Sequence, residues 1–248
     1  MSDTKRSLAG TADKYTDNNS TPIILVDFAS IFEYNANMSA KSTITTQIIS
    51  TPFPLTYDYL KERYKDYHSP KDKISRLAAE GTLIRLKKGF YLPATDNKPT
   101  ELVANLLLGP SYVSLETALS YYGMIPERVY AVRSVTTKRS KAYKTPIGRF
   151  EYLTVKEGYF SVGVRSASNE FYRFLIASPE KAICDMIALT PGLKIQSLKA
   201  MREYIEEDIR IDLPEEVSLD VSVIKRVAET GVKRREMSFL LEYCAGAK

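Results

Sequence analysis

The chain has 248 residues, of which 44% are hydrophobic and 26% are charged, with a formal net charge of +5. This length allows one large domain or two smaller ones with proper cores, and the composition is ordinary for a globular protein. The modest positive excess is compatible with a polyanionic partner, but only the distribution of the charges can indicate where such a partner would bind.

The cysteine and histidine content excludes several kinds of site. Cys184 and Cys244 are the two cysteines, and His68 is the single histidine. Two thiols so far apart in sequence do not form a disulfide framework, so we expect a protein of the reducing cytoplasm. These three residues cannot supply a common zinc site, and the sequence has no Gly-rich phosphate loop or dinucleotide fingerprint. We therefore expect no metal, no cofactor and no catalytic residues.

No stretch of the sequence approaches the ~20 apolar residues that a membrane-spanning helix needs. The apolar segment from Ile23 to Phe32 is short, is interrupted by Asp27 and follows a long polar stretch, which is unlike a signal peptide. We expect no membrane partner.

Residues 1–37 are expected to form a disordered extension. Residues 1–21 are rich in Ser, Thr, Asp, Asn and Lys and cannot bury much apolar surface. Because an orderly pattern begins only at Met38, we hypothesise that translation starts there. Peptides from residues 1–37 in mass spectra of the native protein would contradict this hypothesis.

Residues 38–93 have the pattern of three helices followed by a β-hairpin. The first helix is predicted over residues 42–50 and the second over residues 56–64. The third begins at the N-cap Ser69, with Pro70 at its first position, and Gly81 is placed to end it. The short runs 83–86 and 90–92 flank Lys87-Lys88-Gly89, which predicts a hairpin with a basic tip. This order of elements is typical of a winged helix-turn-helix domain.

Residues 94–99 are predicted to be a linker, and residues 100–248 a second domain of mixed α and β structure. The fold class of the whole chain is therefore expected to be α+β. Helices are predicted at 101–108, 114–122, 178–187, 198–206, 222–229 and 235–243, and strands at 129–137, 149–155 and 159–164. Within the helix that starts at Ser178, Lys181 and Asp185 are spaced to form a pair.

The third helix and the hairpin carry the candidate DNA-binding residues. When the apolar face of that helix (Ile74, Leu77, Ala78) is turned inward, Lys73 and Arg76 point outward. The N-terminal end of such a helix enters the major groove in helix-turn-helix proteins, and a basic hairpin tip suits the flanking phosphates. The residues assigned to this interface are Ser69, Lys71, Lys73, Ser75, Arg76, Arg85, Lys87 and Lys88. The alternative is a solvated helix face and a solubilising turn.

Two further basic clusters lie in the second part of the chain. They comprise Lys138, Arg139 and Lys141, and Lys225, Arg226, Lys233, Arg234 and Arg235. They are interpreted either as ordinary surface charge or as an additional nucleic-acid surface.

Several segments resemble the AbiEi-type antitoxins, which are the transcriptional regulators of abortive-infection (type IV) toxin–antitoxin systems. The resemblance begins with Lys73-Ile74-Ser75-Arg76-Leu77 and the stretch from Gly81 to Tyr91. It continues through Tyr112 to Leu119, Tyr122 to Pro126, Val135 to Arg139 and Gly148 to Tyr152. The segment Ala177 to Ala182 with Asp185 is similar to the most recognisable motif of the family. Together these segments cover roughly residues 40–190.

The resemblance implies a function that composition does not show. The N-terminal domain would bind inverted repeats in its own promoter as a repressor, and the second domain would be needed to counter a nucleotidyltransferase-like toxin. Direct binding of the toxin stays open, because antagonism in this family does not require a stable complex.

The sequence is also compatible with two alternative functions. The first is a stand-alone winged-helix regulator whose second domain senses a ligand or another protein. The second is a nuclease with a winged-helix targeting module. The acidic-x-Lys pattern of such nucleases occurs at Asp96-Asn97-Lys98, within the predicted linker, and it arises easily by chance.

Overall fold

A computed structural model of the protein describes residues 53–246, except for 97, 128 and 213–218. The predicted extension over residues 1–37 and the predicted first helix over residues 42–50 lie outside the described residues. The fold class is α+β, with two sheets among the described residues.

Residues 55–93 form a small unit of helices and strands in the predicted order. Its elements are β1 (Leu55–Thr56), α1 (Tyr57–Arg63), α2 (Pro70–Ala79), β2 (Leu83–Lys87) and β3 (Phe90–Pro93). The strands make an antiparallel sheet in the order β1-β3-β2. Strand β1 is too short to leave a pattern in the sequence, but the hairpin and both helices are confirmed.

Side chains cap both helix starts, and the predicted N-cap Ser69 is confirmed. The Thr56 hydroxyl accepts from the Tyr59 amide, and the Ser69 hydroxyl accepts from the Asp72 amide. These contacts satisfy amides that have no partner inside the first turn of a helix. Leu60, Ile74, Leu77, Leu83 and Tyr91 pack together as the core of the small unit.

Residues 100–246 build the larger part around a mixed six-stranded sheet. The helices are α3 (Thr100–Leu107), α4 (Leu115–Tyr121), α5 (Glu157–Phe160), α6 (Pro179–Leu189), α7 (Leu198–Glu203), a π-helical turn (Tyr204–Asp208), α8 (Val221–Glu229) and α9 (Arg234–Gly246). The strands are β4 (Ser111–Val113), β5 (Ala131–Thr136), β6 (Lys141–Thr145), β7 (Gly148–Thr154), β8 (Val164–Ser168) and β9 (Arg173–Ala177). Their order is β6-β7-β5-β4-β9-β8, with parallel pairing of β4 to β9 and of β5 to β7.

Helices cover both faces of this sheet. The Ser111 hydroxyl donates to the Ala104 carbonyl of α3, whereas the hydroxyl of its neighbour Tyr112 donates to Asp185 of α6. Because successive side chains of a strand point to opposite faces, α3 and α6 lie on opposite sides of the sheet.

One strand prediction is wrong. Residues 159–164 were expected to be extended, but Tyr159 and Phe160 end the one-turn helix α5, and β8 begins only at Val164. The aromatic residues favour a strand locally, yet the helical turn directs Tyr159 into the core, where its hydroxyl donates to Asp185 at 2.7 Å.

The hairpin of the small unit also packs against the larger part. Leu86, Phe90 and Leu92 belong to the same continuous cluster of buried residues as Leu102 and Leu107 of α3. The domain boundary at 94–99 stays a prediction. None of the helices in the described ranges is long and apolar enough to span a bilayer.

Candidate nucleic-acid interface

Helix α2 exposes polar and basic side chains on the face opposite its buried residues. Ile74 and Leu77 are buried, whereas Lys71, Ser75 and Arg76 are exposed. The acidic side chains of Asp72 and Glu80 are exposed on the same helix, so its exposed surface carries charges of both signs. The helix still presents several of the predicted groups together.

Ser69 and Lys73 are less accessible than the other predicted residues of α2. Ser69 is half-buried because it caps the helix. Lys73 is half-buried, and its ammonium lies 5.1 Å from the centre of the Tyr67 ring. Tyr67 lies in the turn before α2, six residues before Lys73, and was not among the predicted interface residues. Such a contact restrains the lysine near the N-terminal end of the helix.

The hairpin contributes two exposed cations. Arg85 on β2 and Lys88 at the tip are exposed. Gly89 has a φ of +74°, in the left-handed region that favours glycine at a tight turn, and its carbonyl accepts from the Tyr57 amide at 2.8 Å. This hydrogen bond ties the hairpin, one residue after the exposed Lys88, to the start of α1.

Lys87 has a different environment from Lys88. Its ammonium donates to the Leu107 carbonyl at 2.6 Å, at the C-terminal end of α3, and lies 5.8 Å from the centre of the Tyr143 ring. Burial lowers the pKa of Lys87, and the charges of Lys141 and Lys138 lower it further. In this conformation Lys87 anchors the hairpin to the larger part and is not a free cation of the tip.

One of the two additional basic clusters joins the hairpin. Lys138, Arg139 and Lys141 are exposed, and the Lys141 ammonium lies 4.7 Å from the centre of the same Tyr143 ring that Lys87 approaches. Tyr143 was not singled out in the sequence, because its two lysine neighbours come from elements far apart in the chain. The hairpin and the β5–β6 turn thus share a basic surface.

Two residues of the second additional cluster form hydrogen bonds within the larger part. Lys233 donates to the Leu193 carbonyl, and Arg235 donates to the Gln196 carbonyl at 3.4 Å. These contacts attach the start of α9 to residues 193–196. Lys225, Arg226 and Arg234 are exposed.

The predicted pair of Lys181 and Asp185 is confirmed, but it lies in the core. Both side chains are fully buried, and the ammonium is 3.3 Å from the carboxylate. The Lys181 ammonium also donates to the Tyr159 carbonyl at 3.0 Å. Because both groups are closed off from solvent, each compensates the charge of the other inside the core.

No group of three or more His, Cys, Asp or Glu residues in the described ranges is arranged to hold a metal ion. Both cysteines are free thiols, and Cys184 is buried.

No family model matches the chain, and no curated protein matches it. The resemblance to AbiEi-type antitoxins therefore stays a prediction.

Proposed function

We propose that this protein is a winged helix-turn-helix regulator that binds double-stranded DNA through α2 and the β2–β3 hairpin. The observation that carries the proposal is the arrangement of exposed cations on two adjoining elements of one small unit. Arg76 lies on the exposed face of α2, while Arg85 and Lys88 lie on the hairpin next to it. A helix for the major groove beside a basic hairpin for phosphates is the geometry that winged helices use.

The β5–β6 turn extends this proposed interface. Lys138 and Lys141 lie close enough to Lys87 to lower its pKa, and the described contacts of these three ammonium groups include no carboxylate. Like charges brought together repel one another unless an anion lies between them. A DNA backbone that follows the hairpin would supply such anions.

The biological role that we propose follows from the family resemblance. The protein would act in the cytoplasm as the antitoxin of a type IV toxin–antitoxin pair, repress its own operon and counter a nucleotidyltransferase-like toxin. This role requires no cofactor and no catalytic residue. A stand-alone regulator would have the same DNA interface, and only the neighbouring gene and a toxin-rescue assay separate the two roles.

The DNA-binding proposal is tested by fluorescence anisotropy with a duplex from the region upstream of the gene, over a salt series and with unrelated competitor DNA. We expect specific binding that survives the competitor. The Lys73→Ala/Arg76→Ala variant should bind at least about tenfold more weakly, because base contacts by such residues contribute roughly 1–3 kcal/mol each.

The matched control is Lys194→Ala/Lys199→Ala, which removes two exposed lysines that are not part of the proposed interface. It should leave the affinity unchanged. Equal loss in both double variants, or binding no tighter than to unrelated DNA, would contradict the proposed interface.

A further inference from the structure

A cavity of about 490 Å³ opens on the larger part of the protein and shares no lining residue with the proposed DNA interface. Its described wall is formed by Glu116 of α4, the end of α6, the π-helical turn, and Ile125, Glu127, Val129, Tyr130, Ala131 and Arg133. Cavities that bind small molecules commonly measure about 300–1,000 Å³. The volume is therefore sufficient for a small organic ligand.

Part of the cavity lining is apolar. Ile125, Met186 and Ile209 line it, and each is at most 8% exposed, so these side chains are held in place by the core. The ring of Tyr130 also lines the cavity and is 86% exposed. A ligand with an apolar or aromatic body would cover this surface.

The charged part of the lining favours a cation. Among the described lining residues, Glu116, Glu127 and Asp208 carry carboxylates, and Arg133 is the single cation. Arg133 is already bound, since its guanidinium donates to both Glu116 oxygens at 2.6 Å. Glu127 pairs with Arg210 at 3.0 Å, while Asp208 forms no ion pair with any residue of the described ranges. The Asp208 charge is thus available to a ligand.

Helix α6 adds negative potential to the same wall. Met186 in its last turn and the C-cap Thr190 line the cavity, and the carbonyl end of a helix carries a partial negative charge. The Met186 carbonyl accepts from the hydroxyls of Thr190 and Tyr204, at 2.6 and 3.4 Å. This carbonyl is therefore occupied, and the cavity presents carboxylate and hydroxyl oxygens.

The π-helical turn shapes the remaining wall. The Ile209 amide donates to the Tyr204 carbonyl at 2.9 Å, five residues back, and Tyr204, Asp208 and Ile209 all line the cavity. The wider π turn brings an aromatic ring, a carboxylate and an apolar side chain to one surface. Such turns are rare in proteins and occur frequently at functional sites.

We infer that this cavity binds a small organic cation, with its ammonium group at Asp208 and its apolar body against Ile125 and Met186. This inference does not depend on the proposed DNA binding.

Saturation-transfer NMR with the full chain tests the inference with two probes of similar shape, 2-phenylethylammonium and 3-phenylpropionate. We expect saturable binding of the ammonium probe, with a Kd of about a millimolar as is usual for so small a ligand, and none of the carboxylate. The Asp208→Asn variant should bind the ammonium probe about tenfold more weakly, because a charge-assisted hydrogen bond is lost.

The matched control is Glu207→Gln, which removes a carboxylate from the same turn at an exposed position outside the lining. It should bind like the unmodified protein, and both variants should keep its Tm. Absence of saturable binding of the ammonium probe, equal binding of both probes, or unchanged affinity in Asp208→Asn would overturn the inference.

Discussion

Asp185 is fully buried and is surrounded by hydrogen-bond donors from several elements. The hydroxyls of Ser114, Tyr159 and Tyr112 donate to its carboxylate at 2.6, 2.7 and 3.0 Å, and the Lys181 ammonium lies at 3.3 Å. Burial raises the pKa of both Tyr112 and Tyr159 well above its ordinary value, so these phenols stay protonated and remain donors at neutral pH. The network compensates a charge that would otherwise be costly inside the core.

Removal of one partner from this network should be strongly destabilising. The Lys181→Met variant keeps the volume of the side chain but leaves Asp185 buried without its counter-charge. We expect the free energy of unfolding to fall by about 3–5 kcal/mol, as measured by urea denaturation.

The Tyr112→Phe variant is the control for this prediction, because it removes a single hydrogen bond and keeps the ring. It should cost about 1–2 kcal/mol. If the two variants differed by less than 1 kcal/mol in the same titration, Lys181 would not be compensating the charge of Asp185.

At the scale of the elements, the β2–β3 hairpin places two consecutive lysines in different environments. Lys88 is exposed at the tip, whereas Lys87 is half-buried and donates to the end of α3. The C-terminal end of a helix attracts a cation, so Lys87 both caps α3 and fixes the hairpin against the larger part. The two residues should therefore contribute to different properties.

Alanine at each position should reveal this division. Lys88→Ala should reduce the slope of log K against log salt by about one unit, because one phosphate contact is lost, and leave the Tm unchanged. Lys87→Ala should lower the Tm and change the salt slope less. Anisotropy and thermal unfolding of the same samples measure the two effects. A larger change in salt slope for Lys87→Ala than for Lys88→Ala, with an unchanged Tm, would show that Lys87 leaves α3 to bind DNA.

On the scale of the whole molecule, the small unit is not packed as an independent body. Leu86, Phe90 and Leu92 extend into the main core, while Leu60 belongs to the separate cluster beneath α1 and α2. The hairpin thus shares its core with α3 and the six-stranded sheet. A shared core couples the stability of the two parts.

This packing predicts one cooperative unfolding transition for the described part of the chain, seen at the same urea concentration by far-UV and tyrosine near-UV circular dichroism. Leu92→Ala should lower the free energy of unfolding by about 2–5 kcal/mol and reduce hydrogen-exchange protection in α3 as well as in the hairpin.

Leu60→Ala is the matched control, because Leu60 is equally buried but lies in the small cluster. It should reduce protection in α1 and α2 without a preferential effect on α3. Two separate transitions, or a Leu92→Ala variant with normal protection of α3, would mean that the hairpin and the larger part unfold independently.

The sequence by itself determined the elements whose signals are local. Ser69 with Pro70, and Ser178 with Pro179, mark helix starts because a side-chain cap and a fixed φ act within one turn. The sequence also predicted the hairpin around Gly89 and the exposure of Arg76 on α2. These features depend on neighbours a few residues away, which the sequence displays directly.

Only the tertiary structure decided how distant residues meet. Tyr112 and Asp185 are 73 positions apart, and Lys87 and Leu107 are 20 apart, so no local pattern records either contact. The same holds for β4, which has three residues and is formed by its pairing with β5 and β9. The one-turn helix at Tyr159 also follows from a long-range contact. Burial and pairing across the core outweigh local propensity at these positions, because the free energy of a buried contact exceeds that of a residue's backbone preference.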